Sequence, residues 1–207
     1  MIMSLMGSGL FLIGVCILYT VTGHLLMPNI QESVKILMQR GEYHIPLLMV
    51  IILITAGLAI KSGLYPFHSW MPAAYGFSLP SSSAILSGLV SKSYIFLLIK
   101  IIYRVVGKDT ILGSDIIKVL FAFSVFAIIL GSVGAIREKD IRYMNAYSSV
   151  AQIGYVYMGI GLGSRAGMVA AMFHILVHAA TKSLLFISAE GLSQASGHTL
   201  SLIHISE

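Results

Sequence analysis

The sequence predicts an all-α membrane protein: a polytopic helical bundle of about six transmembrane helices, one of them discontinuous. Three observations carry that prediction. Hydrophobic residues make up 57% of the 207-residue chain and charged residues 10%, with a mean hydropathy of +0.91; a soluble domain averages roughly 25% charged residues. Apolar runs of about 20 residues recur along the chain, the length that carries a helix across a hydrocarbon core of about 30 Å. Between Lys61 and Lys92, two lysines, His68, Trp70 and three prolines interrupt otherwise oily sequence. A charge at the bilayer centre costs about 2.5–3.5 kcal/mol on insertion scales, so it is normally turned inward, paired or wetted. That stretch is therefore expected to form the polar interior of the bundle.

Composition excludes several classes. A net charge of +5 in a soluble protein would point to nucleic acid. Here the basic residues lie in short links or singly inside apolar runs, which suits anionic lipid and membrane topology instead, and no nucleic acid is expected. The lone Cys16 excludes an internal disulfide and any cysteine-held cluster, and reads as an inert packing residue. Residues 1–19 lack a basic start and a small-residue cleavage site, so they read as a retained helix rather than a signal peptide. Neither a Gly-rich nucleotide loop, nor iron–sulfur spacing, nor a haem motif is present, so no cofactor and no self-contained catalytic site are expected.

The first span, 1–21, is long enough to cross, and Gly7, Gly9 and Gly14 give it a small-residue side for close packing. A polar link with His24, Glu32, Lys35, Arg40 and Glu42 follows. Within it Ile30, Val34, Leu37 and Met38 recur at helical spacing, which predicts a short interfacial helix. The second span, 45–74, is predicted to break near 62–66, because Gly63 and Pro66 interrupt it and proline removes a backbone donor. A break at membrane depth is tolerated only where it is buried in protein or lines a wet cavity, and broken helices mark ion sites in transporters. The third span, 81–104, has Pro80 in its first turn, with Ser78 or Ser81, Ser82 and Ser83 expected to cap it. At 1.5 Å per residue Lys92 lies about 18 Å along this helix, near mid-membrane, whereas Lys100 and Arg104 can snorkel outward.

A link over 105–114 with Lys108 and Asp109 leads to the fourth span, 116–136. The charged turn Arg137-Glu138-Lys139-Asp140-Ile141-Arg142 comes next. The fifth span, 145–163, is rich in Ser, Gln and Gly and is expected to face other helices. After a short link at Arg165, the sixth span, 167–191, carries His174, His178 and Lys182. The tail, 192–207, is assigned no structure.

His174, His178 and Lys182 recur every four residues; at 100° and 1.5 Å per residue they fan over about 80° and climb roughly 12 Å. This is one polar stripe inside an apolar span. Imidazole both takes and gives a proton near neutral pH, and a lysine kept from water can release one. A proton relay and a set of interhelical hydrogen bonds both fit the stripe. Two histidines four apart also suit a metal, but residue 175 is isoleucine, with no carboxylate between the histidines, and no metal is expected. Lys61 and Lys92 are relay candidates or snorkelling lysines, His68 a local cap or a proton entry point, and Trp70 a packing or belt residue.

Lys61-x4-Pro66-Phe67-His68-x-Trp70-Met71-Pro72 resembles the Lys…Pro-(Phe/Leu)-His-x-Trp-Leu-Pro signature of the antiporter-like proton-conducting membrane subunits. That family includes the large membrane subunits of respiratory complex I, of membrane-bound hydrogenases and of multisubunit Na+/H+ antiporters. The segment Tyr19-x-x-Thr22-Gly23 resembles a family turn that ends a span at this distance before the signature. Lys139-x-x-Arg142-x-x-x-Ala146-Tyr147-Ser148-Ser149-Val150-x-Gln152-x-Gly154 and Phe173-His174-x-x-x-His178-x-x-x-Lys182-x-Leu184-Leu185-Phe186 resemble two further family segments, in the family's order. Departures occur at Ala73, Ala74 and Tyr75, where the family often has Asp, and at Ser81-Ser82-Ser83, where Pro-Val-Ser is common.

The resemblance implies a piece of a subunit about twice as long, corresponding to the sixth to eleventh of around fourteen spans. It would lack a preceding helix with a key glutamate and a following broken helix. It also implies roles. Lys61 would be the first central lysine, Lys92 the next relay lysine, and His174, His178 and Lys182 the continuation. The Arg137–Arg142 turn would be cytoplasmic. The implied function is proton or cation translocation as a non-catalytic membrane subunit of a redox-driven pump, resembling NADH:quinone oxidoreductase or membrane hydrogenase. A subunit of an Na+/H+ antiporter without redox coupling, and a non-conducting membrane scaffold, are the alternatives. Implied partners are other membrane subunits, the lipid bilayer, and protons or Na+; the implied location is a prokaryotic cell membrane, multi-pass.

Overall fold

The computed structural model describes residues 2–41, 43–107 and 115–196; Glu42, Lys108, Asp109 and the tail beyond Ser196 lie outside the described residues. Among the described residues every regular element is helical. Five helical runs are long and apolar enough to cross a membrane: Ile2–Thr22, His44–Phe77, Pro80–Val106, Ile116–Arg137 and Arg165–Ala195. A sixth helix, Ile141–Gly161, has 21 residues but carries Asn145, Ser148, Ser149 and Gln152 and is the most deeply packed. The chain divides into two compact units, Met1–Lys61 with Ser93–Ile117, and Ser62–Lys92 with Lys118–Glu207.

The first unit is built on α1 (Ile2–Thr22), α2 (Met27–Arg40) and α3 (His44–Ser62). Glycine brings α1 and α3 to backbone contact. A Cβ on Gly57 would fall 2.7 Å from the Gly7 carbonyl oxygen, and one on Gly14 2.7 Å from the Ile54 side chain. Gly9 has nothing within 4 Å, so the expected small-residue side consists of Gly7 and Gly14 only. Cys16 is exposed on α1 rather than packed as the sequence suggested. The helix predicted in this link is present as α2. Pro28 sits in its first turn, and Gly41, at φ 69°, closes it with its N–H on the carbonyls of Leu37 and Met38. Ile30 and Val34 are buried, and Gln31 Nε2 donates to the Tyr103 carbonyl at 3.1 Å.

In the second unit the predicted break is real. Helix α3 stops at Ser62, Gly63 takes φ 81°, the Tyr65–Pro66 peptide is cis, and a 3-10 turn, Phe67–Ser69, leads into α4 (Trp70–Phe77). The Phe67 N–H closes the gap on the Leu64 carbonyl at 2.8 Å. The following helical run is not uniform. It reads α5 (Pro80–Ile85), a π-helical segment π1 (Leu86–Val90), α6 (Ser91–Ile101) and a second π segment, π2 (Ile102–Val106). Pro80 takes the first turn, but no serine caps it; the N-cap is Leu79, without a side-chain hydrogen bond. Ser83 instead donates to the Tyr75 carbonyl at 2.8 Å, a longer-range partner on α4.

Helices α7 (Ile116–Arg137), α8 (Ile141–Gly161) and α9 (Arg165–Ser196) complete the chain. Asp140 caps α8, its Oδ1 accepting from the Arg142 N–H at 2.8 Å while Oδ2 meets Arg142 Nη2 at 2.9 Å. Helix α9 continues through Ser196, so the start of the expected tail is helical. The core of this unit is α8, with Ala146, Val150, Ile153, Val156, Tyr157 and Ile160 fully buried. Its neighbours come close at glycines. A Cβ on Gly131 of α7 would stand 2.6 Å from the Ala151 nitrogen, and one on Gly159 would stand 2.7 Å from the Gly167 carbonyl oxygen on α9.

These contacts predict opposite outcomes for two glycines. Gly131→Leu should force α7 off α8 and cost about 1–3 kcal/mol, as overpacking does. Gly9→Ala should be neutral or stabilise by up to about 1 kcal/mol, the helix propensity difference. Thermal unfolding of the purified protein in detergent checks both; equal effects would contradict the close approach of α7 to α8 at Gly131.

Candidate functional site

The polar interior of the second unit is assembled on α8 and α9, with π1 and the first turn of α6 closing it. Lys182, on α9, is buried, and its Nζ donates to the Asn145 carbonyl at 2.9 Å and to the Ser148 hydroxyl, both on α8. The Asn145 carbonyl also accepts from Ser148 Oγ at 3.1 Å and Ser149 Oγ at 2.8 Å, so one carbonyl serves three donors at the start of α8. Ser149 Oγ then pairs with Ser87 Oγ on π1 at 3.3 Å.

Lys92 is buried on the first turn after π1, and its Nζ donates to the Ser87 carbonyl five residues earlier. In a regular α-helix each carbonyl is committed four residues ahead; a π segment widens the turn and is frequent at functional sites. The wide turn fits because Gly88 faces α9, where a Cβ would lie 2.2 Å from Ser183 Oγ and 3.2 Å from the Ala179 carbonyl oxygen.

His178 lies one helical turn before Lys182, 3% exposed, with neither ring nitrogen bonded to a protein group. His174 is one turn further back, half-buried, with Nε2 unpartnered, its ring 6.1 Å from that of His178 and nearly parallel to it. The Tyr155 ring stands edge-on to His174 at 5.8 Å. Lys92 is within electrostatic reach of His174, His178 and Lys182. So four of the six predicted site residues converge in this unit. Among the described residues neither Lys92 nor Lys182 has an ion-pair partner; Glu190, the carboxylate on α9, meets Gln194 instead. Carbonyl and hydroxyl oxygens accept a hydrogen bond from an ammonium or from a neutral amine, so this lining can hold either form. Among the described residues no three His, Cys, Asp or Glu side chains come together as a metal site.

The other two predicted residues lie on other elements, the end of α3 and the turn of the break. Lys61, in the last turn of α3, belongs to the first unit; it is half-buried, with Nζ 5.0 Å above the Tyr94 ring, a cation–π contact. It sits at the helix interruption as expected but is not fully enclosed. His68 lies in the 3-10 turn of the break, half-buried, its ring 5.5 Å from that of Tyr65 and its Nδ1 without a partner. Trp70 packs edge-on to Tyr75 at 6.3 Å, in keeping with a packing residue.

Sequence reasoning did not assign Ser87, Asn145, Ser148 and Ser149 as lysine partners, nor Tyr157. The polar richness of α8 was the available signal, since Asn145, Ser148 and Ser149 share one face at i, i+3, i+4. Tyr157 is fully buried, its hydroxyl 2.8 Å from Ser62 Oγ where the break begins.

The whole chain, residues 1–207, matches the family described as "NADH:quinone oxidoreductase/Mrp antiporter, TM", and the chain belongs to that family. It is 34% identical over 187 residues to NADH-quinone oxidoreductase subunit N of Desulforudis audaxviator, covering 90% of this chain and 36% of that protein. It is 28% identical over 199 residues to a Na(+)/H(+) antiporter subunit of Alkalihalophilus pseudofirmus, covering 96% and 39% respectively. A chain in the structure of the membrane-bound sulfane sulfur reductase, an archaeal respiratory membrane complex, superposes with a TM-score of 0.85 at 28% identity, covering 96% of this chain and 39% of that one. The chain thus spans little more than a third of the length of these relatives.

The Ser62–Tyr157 pair should behave as a unit. In a double-mutant cycle with Ser62→Ala and Tyr157→Phe, chemical unfolding in detergent should give a coupling energy of about 0.5–1.5 kcal/mol, that of one net hydrogen bond. Strict additivity would mean the bond contributes nothing to the break.

Proposed function

We propose that this chain is the proton-conducting part of a membrane subunit in a redox-driven, complex I-like or hydrogenase-type ion pump. The observation that carries the reading is that buried Lys92 and Lys182 donate from Nζ to carbonyl and hydroxyl oxygens, with both ring nitrogens of His178 and Nε2 of His174 without a protein partner among the described residues and within electrostatic reach of Lys92. Buried cations without a carboxylate are costly as permanent charges. They are economical as groups that hold a proton in passing. His178 can accept at one ring nitrogen and release from the other. Water bridging the unpaired nitrogens and the lysines would complete the path, because direct transfer needs partners about 2.7–3.2 Å apart. In this reading Lys61 is the lysine at the head of the relay, beside the helix break, and His68 a point of proton entry.

The subunit would act with other membrane subunits in a prokaryotic cell membrane, and redox chemistry would belong to those partners. Likeness to the Na(+)/H(+) antiporter relative supports a second reading, cation exchange with Na+ and no redox coupling. Vesicles holding the assembled complex separate the two. Proton uptake driven by an electron donor supports the pump, and Na+-dependent proton release under an imposed pH gradient supports the antiporter.

Relay residues are tested in the full-length subunit within its complex, at matched assembly. Lys92→Met and His178→Ala should each lower proton flux by about tenfold or more, the scale lost with a positioned proton carrier. Lys182→Arg should lower it too, because guanidinium does not release its proton in proteins. Unchanged flux in all three variants with normal assembly would make the cluster structural and favour the scaffold role.

A further inference from the structure

Tyr75 has no place in the relay, yet it is among the most buried side chains, 1% exposed, and lies on α4, the helix that resumes after the break. Its hydroxyl is 2.7 Å from Ser91 Oγ, and Ser91 immediately precedes Lys92. The direction of that bond follows from counting hydrogens. Ser91 Oγ donates its single proton to the Leu86 carbonyl at 3.1 Å, so it accepts from Tyr75, whose O–H is the donor. Leu86 opens π1, and the Ser91 N–H closes on the same carbonyl. Tyr75 therefore fastens both ends of the wide turn through one serine.

The ring is fixed as firmly as the hydroxyl. Phe186 stands edge-on to it at 5.8 Å and 86°, and Trp70 at 6.3 Å and 82°. Phe186 lies one helical turn after Lys182 on α9. The Tyr75 carbonyl accepts from Ser83 Oγ at 2.8 Å; Ser83 spends its proton there and so accepts from Ser78 Oγ at 2.6 Å. One residue on the resumed helix thus touches the turn that carries Lys92 and the helix that carries Lys182.

We propose that Tyr75 is a positioning residue for Lys92: through Ser91 it locks the π turn Leu86–Val90 and so sets where the Lys92 ammonium lies relative to Lys182 and His178. The inference rests on the relay reading above. Loss of the hydroxyl leaves the Ser91–Leu86 turn free to relax toward regular helix, which rotates and retracts the residue that follows it. The titratable groups within electrostatic reach of Lys92 are His174, His178 and Lys182, all on α9. A change in its place therefore alters the pH profile of transfer as well as its rate.

The test uses the full-length subunit in its assembled complex, measuring proton flux in vesicles from about pH 6 to about pH 9, a range that begins near the ordinary titration of imidazole. Tyr75→Phe keeps the ring and removes only the hydroxyl, and Ser91→Ala removes its acceptor. Each should lower flux about threefold to tenfold, the effect of one hydrogen bond, with a displaced pH profile. The double variant should be no worse than the worse single, since both break one link. Ser91→Thr, which restores a hydroxyl, should recover flux to within about twofold of the wild type, a residual well below the loss of one hydrogen bond. Lys92→Met separates the two ideas. If it leaves flux intact, the relay fails and the positioning role fails with it. If Lys92→Met stops flux while Tyr75→Phe and Ser91→Ala keep the wild-type rate and pH profile, the positioning role alone is overturned. A loss that merely tracks reduced assembly in both variants overturns it as well.

Discussion

A cation placed inside an apolar bundle has to be surrounded by oxygen, and most of the second unit follows from that requirement. Water supplies the oxygen outside; inside, the chain supplies it. Lys182 finds it in the Asn145 carbonyl and the Ser148 hydroxyl, and Lys92 in the carbonyl of Ser87. A regular helix has few oxygens to offer, since each carbonyl already faces an N–H four residues on. The two sources used here are the beginning of α8, where serines one turn on gather at Asn145, and a π segment, where the wide turn exposes a carbonyl to a side chain of its own helix.

Those oxygens help only if the helices that carry them stand close. The glycines at 88, 131, 154 and 159 are the means: each meets a neighbouring helix where a Cβ would overlap it. At such distances the short hydroxyls of Ser87 and Ser149 reach each other across helices, which longer side chains would prevent. Small residues at helix interfaces are general in membranes, where apolar burial gives no preference for helix over lipid. In this chain the same closeness also builds the polar lining.

Much of this was legible in the residues. Lysine and histidine inside apolar runs announce an interior polar site because the alternative is expensive, and Lys92, His174, His178 and Lys182 do come together. The break was legible because Pro66 fixes its own φ and lacks a backbone donor, while Gly63 permits the positive φ the turn needs. The π segment was not, since its hydrogen-bond register depends on Gly88 meeting Ser183 on another helix, a contact that no local pattern encodes. The serines after Pro80 illustrate the same limit. They have the composition of a cap, but the Tyr75 carbonyl wins Ser83. Gly9 and Cys16 were misjudged for want of knowing which side of α1 meets α3. Lys61 was placed correctly at the interruption, yet its partial exposure and the Tyr94 ring above it depend on packing within the first unit.

Two lysines that feel each other inside one polar cluster do not hold protons independently. When ionisable groups interact strongly, protonation belongs to the pair, and occupying one site raises the cost of occupying the other. Among the described residues no carboxylate pairs with Lys92 or Lys182, and the two lie within electrostatic reach of each other. On the proposed relay a proton arriving at one lysine repels the proton on the other, and the oxygen partners of each accept a hydrogen bond from either amine state. Hydrogen bonding to the lining has a narrow range of distance, so each lysine keeps its partners only where that lining is held in place. Rigid devices around the lysines, the Ser87–Ser149 pair and the Tyr75–Ser91 link among them, are what such a coupled pair requires, whereas a lysine that only snorkelled to the surface would need none of them.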